Sequence, residues 1–265
     1  MRMVSIASGS NGNCTYVGSD DTHVLVDAGI SNKRIELGLK ELGLSPADLT
    51  AIFVTHEHSD HISGLNILSK KYSVPIYSAP GTVRAMKQMK SLDRVDAELY
   101  HEVGADADVR IGDLDILPFS IDHDAAEPMA YRISCGSKSV AVATDMGHYS
   151  PYIVDHLRNL DAALIEANHD VRMLEAGPYP YPLKRRILGD YGHLSNENSG
   201  RLISEILNDG IKHIFLGHLS KENNYPELAY ETVKLEIDES DNSYKSKDFD
   251  ITVATRDAMS EVVTI

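Results

Sequence analysis

Five residues able to bind a metal fall within one short stretch: His56, Glu57, His58, Asp60 and His61. They follow the apolar run Ala51-Ile52-Phe53-Val54, which reads as a short buried strand. Gly64 and the periodic residues Ile62, Leu65 and Leu68 then read as the start of a helix. The donors are therefore expected on a strand-to-helix loop, where a rigid scaffold aims side chains into a cleft. Alternate residues of an extended segment point the same way, so His56 and His58 can grip one cation while Glu57 points away. Asp60 and His61, where the chain turns, can face a second. Imidazole combined with carboxylate oxygen suits zinc, manganese or iron. Ions held in this way can acidify water and polarise a bound group.

Such a loop needs a frame, and the hydrophobic pattern supplies one. Residues 4–7, 15–17, 22–27, 51–54 and 74–77 read as strands of a first group, with helices over 31–43 and 80–89. A second group reads as strands at 114–121, 129–134, 139–144, 162–165, 213–216, 251–254 and 262–264. Its helices are expected near 152–158, over 168–175, after Ser195, and from Asn224 and Pro226 through Leu235. Residues 237–248 are polar and read as a surface loop. No linker, low-complexity segment or exact repeat interrupts the 265 residues, so one domain over 1–265 is expected. Two strand groups, each with its own helices, suit two face-to-face sheets with helices outside: an α/β, four-layer αββα sandwich.

Composition narrows the function. An apolar content of 42% allows a sizeable core, and no apolar run is long enough to span a membrane. The segment Met1 to Gly9 has one basic residue and then turns polar, unlike a secretory signal, so a cytoplasmic location is expected. Cys14 and Cys135 lie in strand-like runs and read as buried thiols rather than a disulfide framework. A net charge of −15 disfavours broad non-specific attraction to nucleic acid. A metal pair and a few local cations can still neutralise phosphate at a site.

Three further donors stand just past apolar strands: His123, Asp145 and His218. Among the other histidines, His101 reads as part of an acidic turn, and His148 follows Asp145 closely enough to line a cleft. The string Thr55-His56-x-His58-x-Asp60-His61 resembles the signature of the metallo-β-lactamase superfamily of binuclear hydrolases. That resemblance implies the αββα fold, with two divalent transition-metal ions at the open edge between the sheets. It implies that His56, His58 and His123 hold one ion, that Asp60, His61 and His218 hold the other, and that Asp145 bridges them. It also favours Asp27, at the end of the strand Val24-Leu25-Val26, as a carboxylate that fixes a ligand imidazole. The stretches Ser8-Gly9-Ser10-Asn11-Gly12-Asn13-Cys14, Glu166-Ala167-Asn168-His169-Asp170 and Gly192-His193-Leu194-Ser195-Asn196 resemble the exonuclease-like YycJ/WalJ branch of the superfamily. By likeness to tRNA-processing and related phosphodiesterase members, Glu166 orients His193, and His193 protonates the leaving group. Asp60, His193 and Glu166 are thus the candidate catalytic residues. Only 72 residues separate Asp145 from His218, too few for the inserted second domain of the larger RNA-processing nucleases.

The expected substrate is a phosphodiester, DNA or another nucleic acid, with no membrane partner. Lys184, Arg185 and Arg186 form the concentrated cationic run near the site and are candidates for gripping the phosphate backbone, though the same run also reads as a solvated helix face. Ser10 and Asn11, in a turn that can present backbone donors to phosphate, and His169 complete the candidate substrate contacts. The alternative enzyme is a phosphodiesterase for a small or cyclic nucleotide ester, which the acidic surface favours. A non-enzymatic alternative, a metal-binding regulatory module, conflicts with the complete donor set.

Overall fold

The computed structural model describes residues Met1–Ile265. The first sheet holds β1 (Arg2–Ala7), β2 (Cys14–Gly18), β3 (His23–Val26), β4 (Ala51–Phe53), β5 (Ile76–Ser78) and β6 (Tyr100–Glu102). The second holds β7 (Val109–Ile111), β8 (Leu114–Ser120), β9 (Met129–Cys135), β10 (Lys138–Ala143), β11 (Ala162–Glu166), β12 (His213–Gly217) and β13 (Asp250–Val253). The closing strand β14 (Val263–Thr264) returns to the first sheet beside β1. The first sheet runs β14-β1-β2-β3-β4-β5-β6 and the second β13-β12-β11-β10-β9-β8-β7. In each, an antiparallel half (β14 to β3; β7 to β10) passes into a parallel half (β3 to β6; β10 to β13).

Period-two alternation builds the layers. Phe53, Leu164 and Phe215 point between the sheets, together with Val26, Tyr131, Ile133 and Val142. Their neighbours point outward: Ile52 on one side, and Ala163, Ile165, Ile214 and Leu216 on the other. Helices cover both outer faces. Over the first sheet lie α1 (Asn32–Glu41), α2 (Ser59–Ile62), α3 (Leu65–Tyr72) and α4 (Pro80–Gln88). The second half contributes α5 (Pro151–His156), α6 (Val171–Ala176), α7 (Tyr181–Ile187), α8 (Asn196–Ile206) and α9 (Pro226–Glu239). This is the expected αββα sandwich. No helix is long and apolar enough to cross a membrane.

The boundaries differ from expectation where local chemistry decides them. The helix expected over 168–175 begins at Val171, because Asp170 caps it by accepting from the Met173 amide at 2.7 Å. The expected loop 237–248 loses its first residues to α9, which buries Ile237. His101 belongs to β6 rather than to a turn, and its ring stacks on Tyr77 with centroids 4.8 Å apart. Strands β6 and β7 lie at the sheet edges and are three residues each: β6 is polar and largely exposed, and β7 offers only Val109 and Ile111 around Arg110, too short an alternation to announce a strand. Cys14 is buried, whereas Cys135 at the end of β9 is only half-buried, its thiol 3.6 Å from Asp113 Oδ2.

Candidate metal centre

In the parallel halves, the carboxyl ends of strands open onto one edge of the sandwich, where ligands of parallel sheets gather. The loop after β4 carries His56 and His58, and α2 that follows carries Asp60 and His61. Asp27 follows β3, Asp145 follows β10, Glu166 ends β11 and His218 follows β12. His123 follows the antiparallel strand β8. Asp27, Asp145 and His218 all take the left-handed backbone conformation, with φ of 63°, 62° and 55°. An L-residue adopts it at a cost, so surrounding contacts must hold each one there. The His218 amide donates to Ser8 Oγ at 2.8 Å, and the Asp27 amide donates to Phe53 O at 2.8 Å. Gly29 allows the metal loop to approach, since a Cβ there would meet Asp60 O at 1.6 Å.

These loops bring the expected donors into overlapping clusters: His56, His58 and His123; Asp60, His61 and His218; and Asp145 with His56 and His61. Donor atoms within each cluster lie within 4.8 Å of one another. The orientation of each imidazole is set from behind. Asp27 Oδ2 accepts from His61 Nδ1 at 2.7 Å, and its Oδ1 accepts from the Thr55 amide at 2.8 Å. His123 Nδ1 lies 3.0 Å from the Gly192 carbonyl, which can only accept, so the proton sits on Nδ1 and leaves Nε2 as a donor to metal. Glu166 is completely buried and accepts four hydrogen bonds. Its Oε2 takes the Met146 and Leu194 amides at 2.9 and 3.0 Å. Its Oε1 takes Nδ1 of both His193 and His218, at 2.8 and 2.9 Å. His193 thereby joins a fourth cluster with Asp145, Glu166 and His218.

Among the buried side-chain atoms that make no hydrogen bond, two belong to the expected ligands: His56 Nε2 and Asp145 Oδ2. Buried polar atoms are rarely left so, and here both face other donors, which is what a cation site requires. The electrostatics agree. Burial, reinforced by His61, holds the His56 imidazole well below its usual pKa, so it is neutral and able to ligate. Burial also opposes charge on His218, but Asp145, Asp60 and Glu166 outweigh it and push its pKa up to about 10. His61 is raised in the same manner, with burial overcome by Asp27 and Asp145. Without metal, protons on these two histidines balance the surrounding carboxylates.

The cleft over these donors encloses about 230 Å³ and includes Ser10, Asn168, Tyr179, Arg186, His193 and Ser220. The candidate substrate contacts divide accordingly. Ser10 and Arg186 reach the cleft, and Arg186 forms a two-point ion pair with Asp124. Asn11, Lys184 and Arg185 do not line it, and Lys184 Nζ instead donates to Glu175 O at 2.7 Å. His169 is 1% exposed and is buried behind the site, beside Ser195, instead of facing substrate. The turn at 9–13 spends most of its amides internally: Gly9 on Asn13 Oδ1, Gly12 on Gly9 O, and Asn13 on Asp60 O. Glu57 does point away, accepting from the Ala126 amide at 2.8 Å. His148 does not line the cleft; its Nε2 lies 3.4 Å from Asp122 Oδ2. The sequence reading missed Asn13, whose Nδ2 lies 3.1 Å from His61 Nε2 and whose backbone ties the 9–13 turn to the metal loop. It also missed the hydroxyl of Thr55, which bonds Asp27 and lies 3.0 Å from His56 Nδ1. Both stood inside stretches already singled out, but nothing in a one-dimensional pattern separates a bonding side chain from its neighbours.

The family model of the metallo-beta-lactamase superfamily matches residues 7–218, and the chain belongs to that superfamily. Membership implies divalent metal ions. The chain is 43% identical over 236 residues to exodeoxyribonuclease WalJ of Streptococcus pneumoniae, covering 89% of this chain and 88% of that one. It is 42% identical over 235 residues to exodeoxyribonuclease YycJ of Bacillus anthracis, covering 88% of each. Among solved structures, the Zn(2+)-bound PqqB of Methylobacterium extorquens superposes over 100% of both chains with a TM-score of 0.72 at 16% identity, a likeness of fold.

Proposed function

We propose that this chain is a binuclear metal-dependent phosphodiesterase that degrades DNA as an exonuclease, with residues 1–265 acting as one domain. The observation that carries the reading is Glu166 Oε1 shared between His193 and His218, which holds a protonable imidazole against a buried donor cluster inside the cleft. The exodeoxyribonuclease names of the relatives at 43% and 42% identity support DNA as the polymer.

His56, His58 and His123 would hold one ion, Asp60, His61 and His218 the other, and Asp145 both. Their imidazole and carboxylate donors suit zinc, manganese or iron. When bound, such ions acidify water and polarise phosphoryl oxygens. The protein's own groups do the rest. Asp27 and Glu166 fix His61 and His218 in the tautomers that turn Nε2 to the metals. Hydrolysis of a phosphodiester leaves a sugar oxygen that needs a proton. His193, its Nδ1 held by Glu166 and its Nε2 without a protein partner, supplies that proton. Arg186, already aligned by Asp124, holds a neighbouring phosphate.

Metal uptake should release protons. His61 and His218 would have to give up their Nε2 protons to ligate, so apparent affinity should rise with pH until those groups are already deprotonated, near pH 10 for His218. Calorimetric titration of metal-free protein in buffers of differing ionisation enthalpy measures the release. Heats independent of the buffer would contradict it.

The deciding assay places end-labelled DNA, end-labelled RNA and a bis-aryl phosphodiester side by side with metal-replete protein. Stepwise shortening of DNA is expected. Cleavage confined to the small ester would favour the small-nucleotide alternative. In the same assay Arg186→Ala should lose activity on oligonucleotides, most steeply at low salt, by about 10- to 100-fold, because one well-placed charge-assisted pair is worth about 1.5–3 kcal/mol. The loss on the aryl ester should be much smaller.

A further inference from the structure

The acidic character of this chain is not uniform. Between His61 and Val95 stand six cations, Lys70, Lys71, Arg84, Lys87, Lys90 and Arg94, and a single anion, Asp93. All six cations are exposed. Lys71 pairs with Glu36 at 2.8 Å, and Lys87 lies over the ring of Tyr100. Lys70, Arg84, Lys90 and Arg94 form no ion pair and no side-chain hydrogen bond. On a protein with 40 acidic and 25 basic residues, a stretch holding six cations and one anion reverses the charge of the chain locally.

The position of the patch matters as much as its sign. The exposed residues Ser59, Ser63, Ile67 and Lys70 follow helical spacing from the metal loop along α2 and α3. From Ser63 to Lys70 no anion interrupts them. At about 1.5 Å per residue, the run from Ser63 to Lys70 covers about 10 Å. It ends in a groove of about 350 Å³ lined by Asn66, Ile67, Lys70, Lys71 and Arg94. A duplex lays down one charge per about 1.7 Å of its axis, so a run of this length spans several phosphates and delivers them to Lys70, Lys71 and Arg94 at the groove.

We propose that α3, α4 and the turn at Arg94 form the track for the phosphate backbone of the DNA whose end lies in the cleft. The inference rests on the nuclease reading above and adds to it a second grip, on a different wall from Arg186. An exonuclease that held its substrate only at the reacting end would lose it after each cut. A cationic track outside the cleft keeps the remaining polymer close while the next phosphate enters. Phosphate contacts of this kind carry no sequence preference, as general DNA degradation requires.

The test is binding of a fluorescently labelled phosphorothioate duplex of about 30 base pairs to metal-replete protein, followed by anisotropy across a salt series. The variant is K70E/R94E. The control is K212E/K247E, which changes net charge equally; Lys212 precedes β12, at the end of that strand remote from His218. Unfolding midpoints and metal content show that each protein is intact. For K70E/R94E the slope of log affinity against log salt should flatten by about 1.8, the value for two lost phosphate contacts, with binding at least about tenfold weaker at low salt. The control should keep the slope of the unaltered chain. If both variants behave alike while the unaltered chain binds duplex, the track is wrong and the nuclease reading stands. If the unaltered chain neither binds nor cleaves DNA, both fall.

Discussion

Replacing Asp145 should remove metal and activity together. Its carboxylate is buried, and its oxygens lie 3.4 Å from His61 Nε2, 3.3 Å from His218 Nδ1 and 3.9 Å from His123 Nε2. No other acidic side chain reaches histidines of both proposed ion sites, and its Oδ2 has no protein partner. Removing it deprives both sites of charge at once. Metal content should fall from about two ions per chain to one or fewer, and hydrolysis by about 10²–10³-fold or more, the scale of losing a principal source of transition-state charge stabilisation. The choice of substitution matters because Asp145 sits at a φ of 62°. Alanine there adds backbone strain of about 1–2 kcal/mol, whereas asparagine tolerates the left-handed conformation. Asp145→Asn therefore isolates the loss of charge, and Asp145→Ala adds the backbone cost, seen as a lower unfolding midpoint. Elemental analysis showing full occupancy in both variants would remove Asp145 from the centre.

His193→Ala should behave differently: metal stays and chemistry suffers. His193 approaches the centre through Nδ1, which Glu166 occupies at 2.8 Å, and its side chain is partly open to the cleft. Without it, His218 keeps its own bond to Glu166. A sugar alkoxide is a poor leaving group and needs a proton, so cleavage of DNA should fall about 10²–10⁴-fold. A nitrophenolate hardly needs one, and the loss on a nitrophenyl phosphodiester should be far smaller. The ratio of the two losses is the quantity to measure in metal-replete protein. A ratio near one would exclude proton donation, and loss of metal would make His193 a ligand or its support through the cluster it shares with Asp145.

Much of this arrangement was legible beforehand, for identifiable reasons. The donors of the 56–61 loop follow a strand whose residues are all buried, and His218 follows another, so apolar runs ending in His or Asp mark the sheet edge directly. The sandwich follows from the same alternation, which sends Phe53 inward and Ile52 outward. Substrate contacts were read less well. Lys184, Arg185 and Arg186 look alike in sequence, yet a seven-residue helix points neighbours 100° apart, and only Arg186 turns to the cleft. His169 shares a stretch with Glu166, but the turn into α6 buries it. Strands β6 and β7 escaped notice because their pairing partners, rather than their own composition, define them.

The left-handed backbone at Asp27, Asp145 and His218 bears on how such a chain drifts. At Asp27 and His218 a change to glycine would relieve the backbone yet strip hydrogen bonds from buried partners, the Thr55 amide and His61 Nδ1 at one and Glu166 Oε1 at the other. Asp145 differs, because its Oδ2 makes no hydrogen bond to the protein. Glycine there fits the conformation and removes a buried carboxylate together with its donor atoms. Stability and activity are therefore set against each other at this one strand end. A copy of this chain freed from selection for activity is free to change at Asp145 before it changes at Asp27 or His218. Stabilisation campaigns scored on melting temperature alone will be drawn toward the same position.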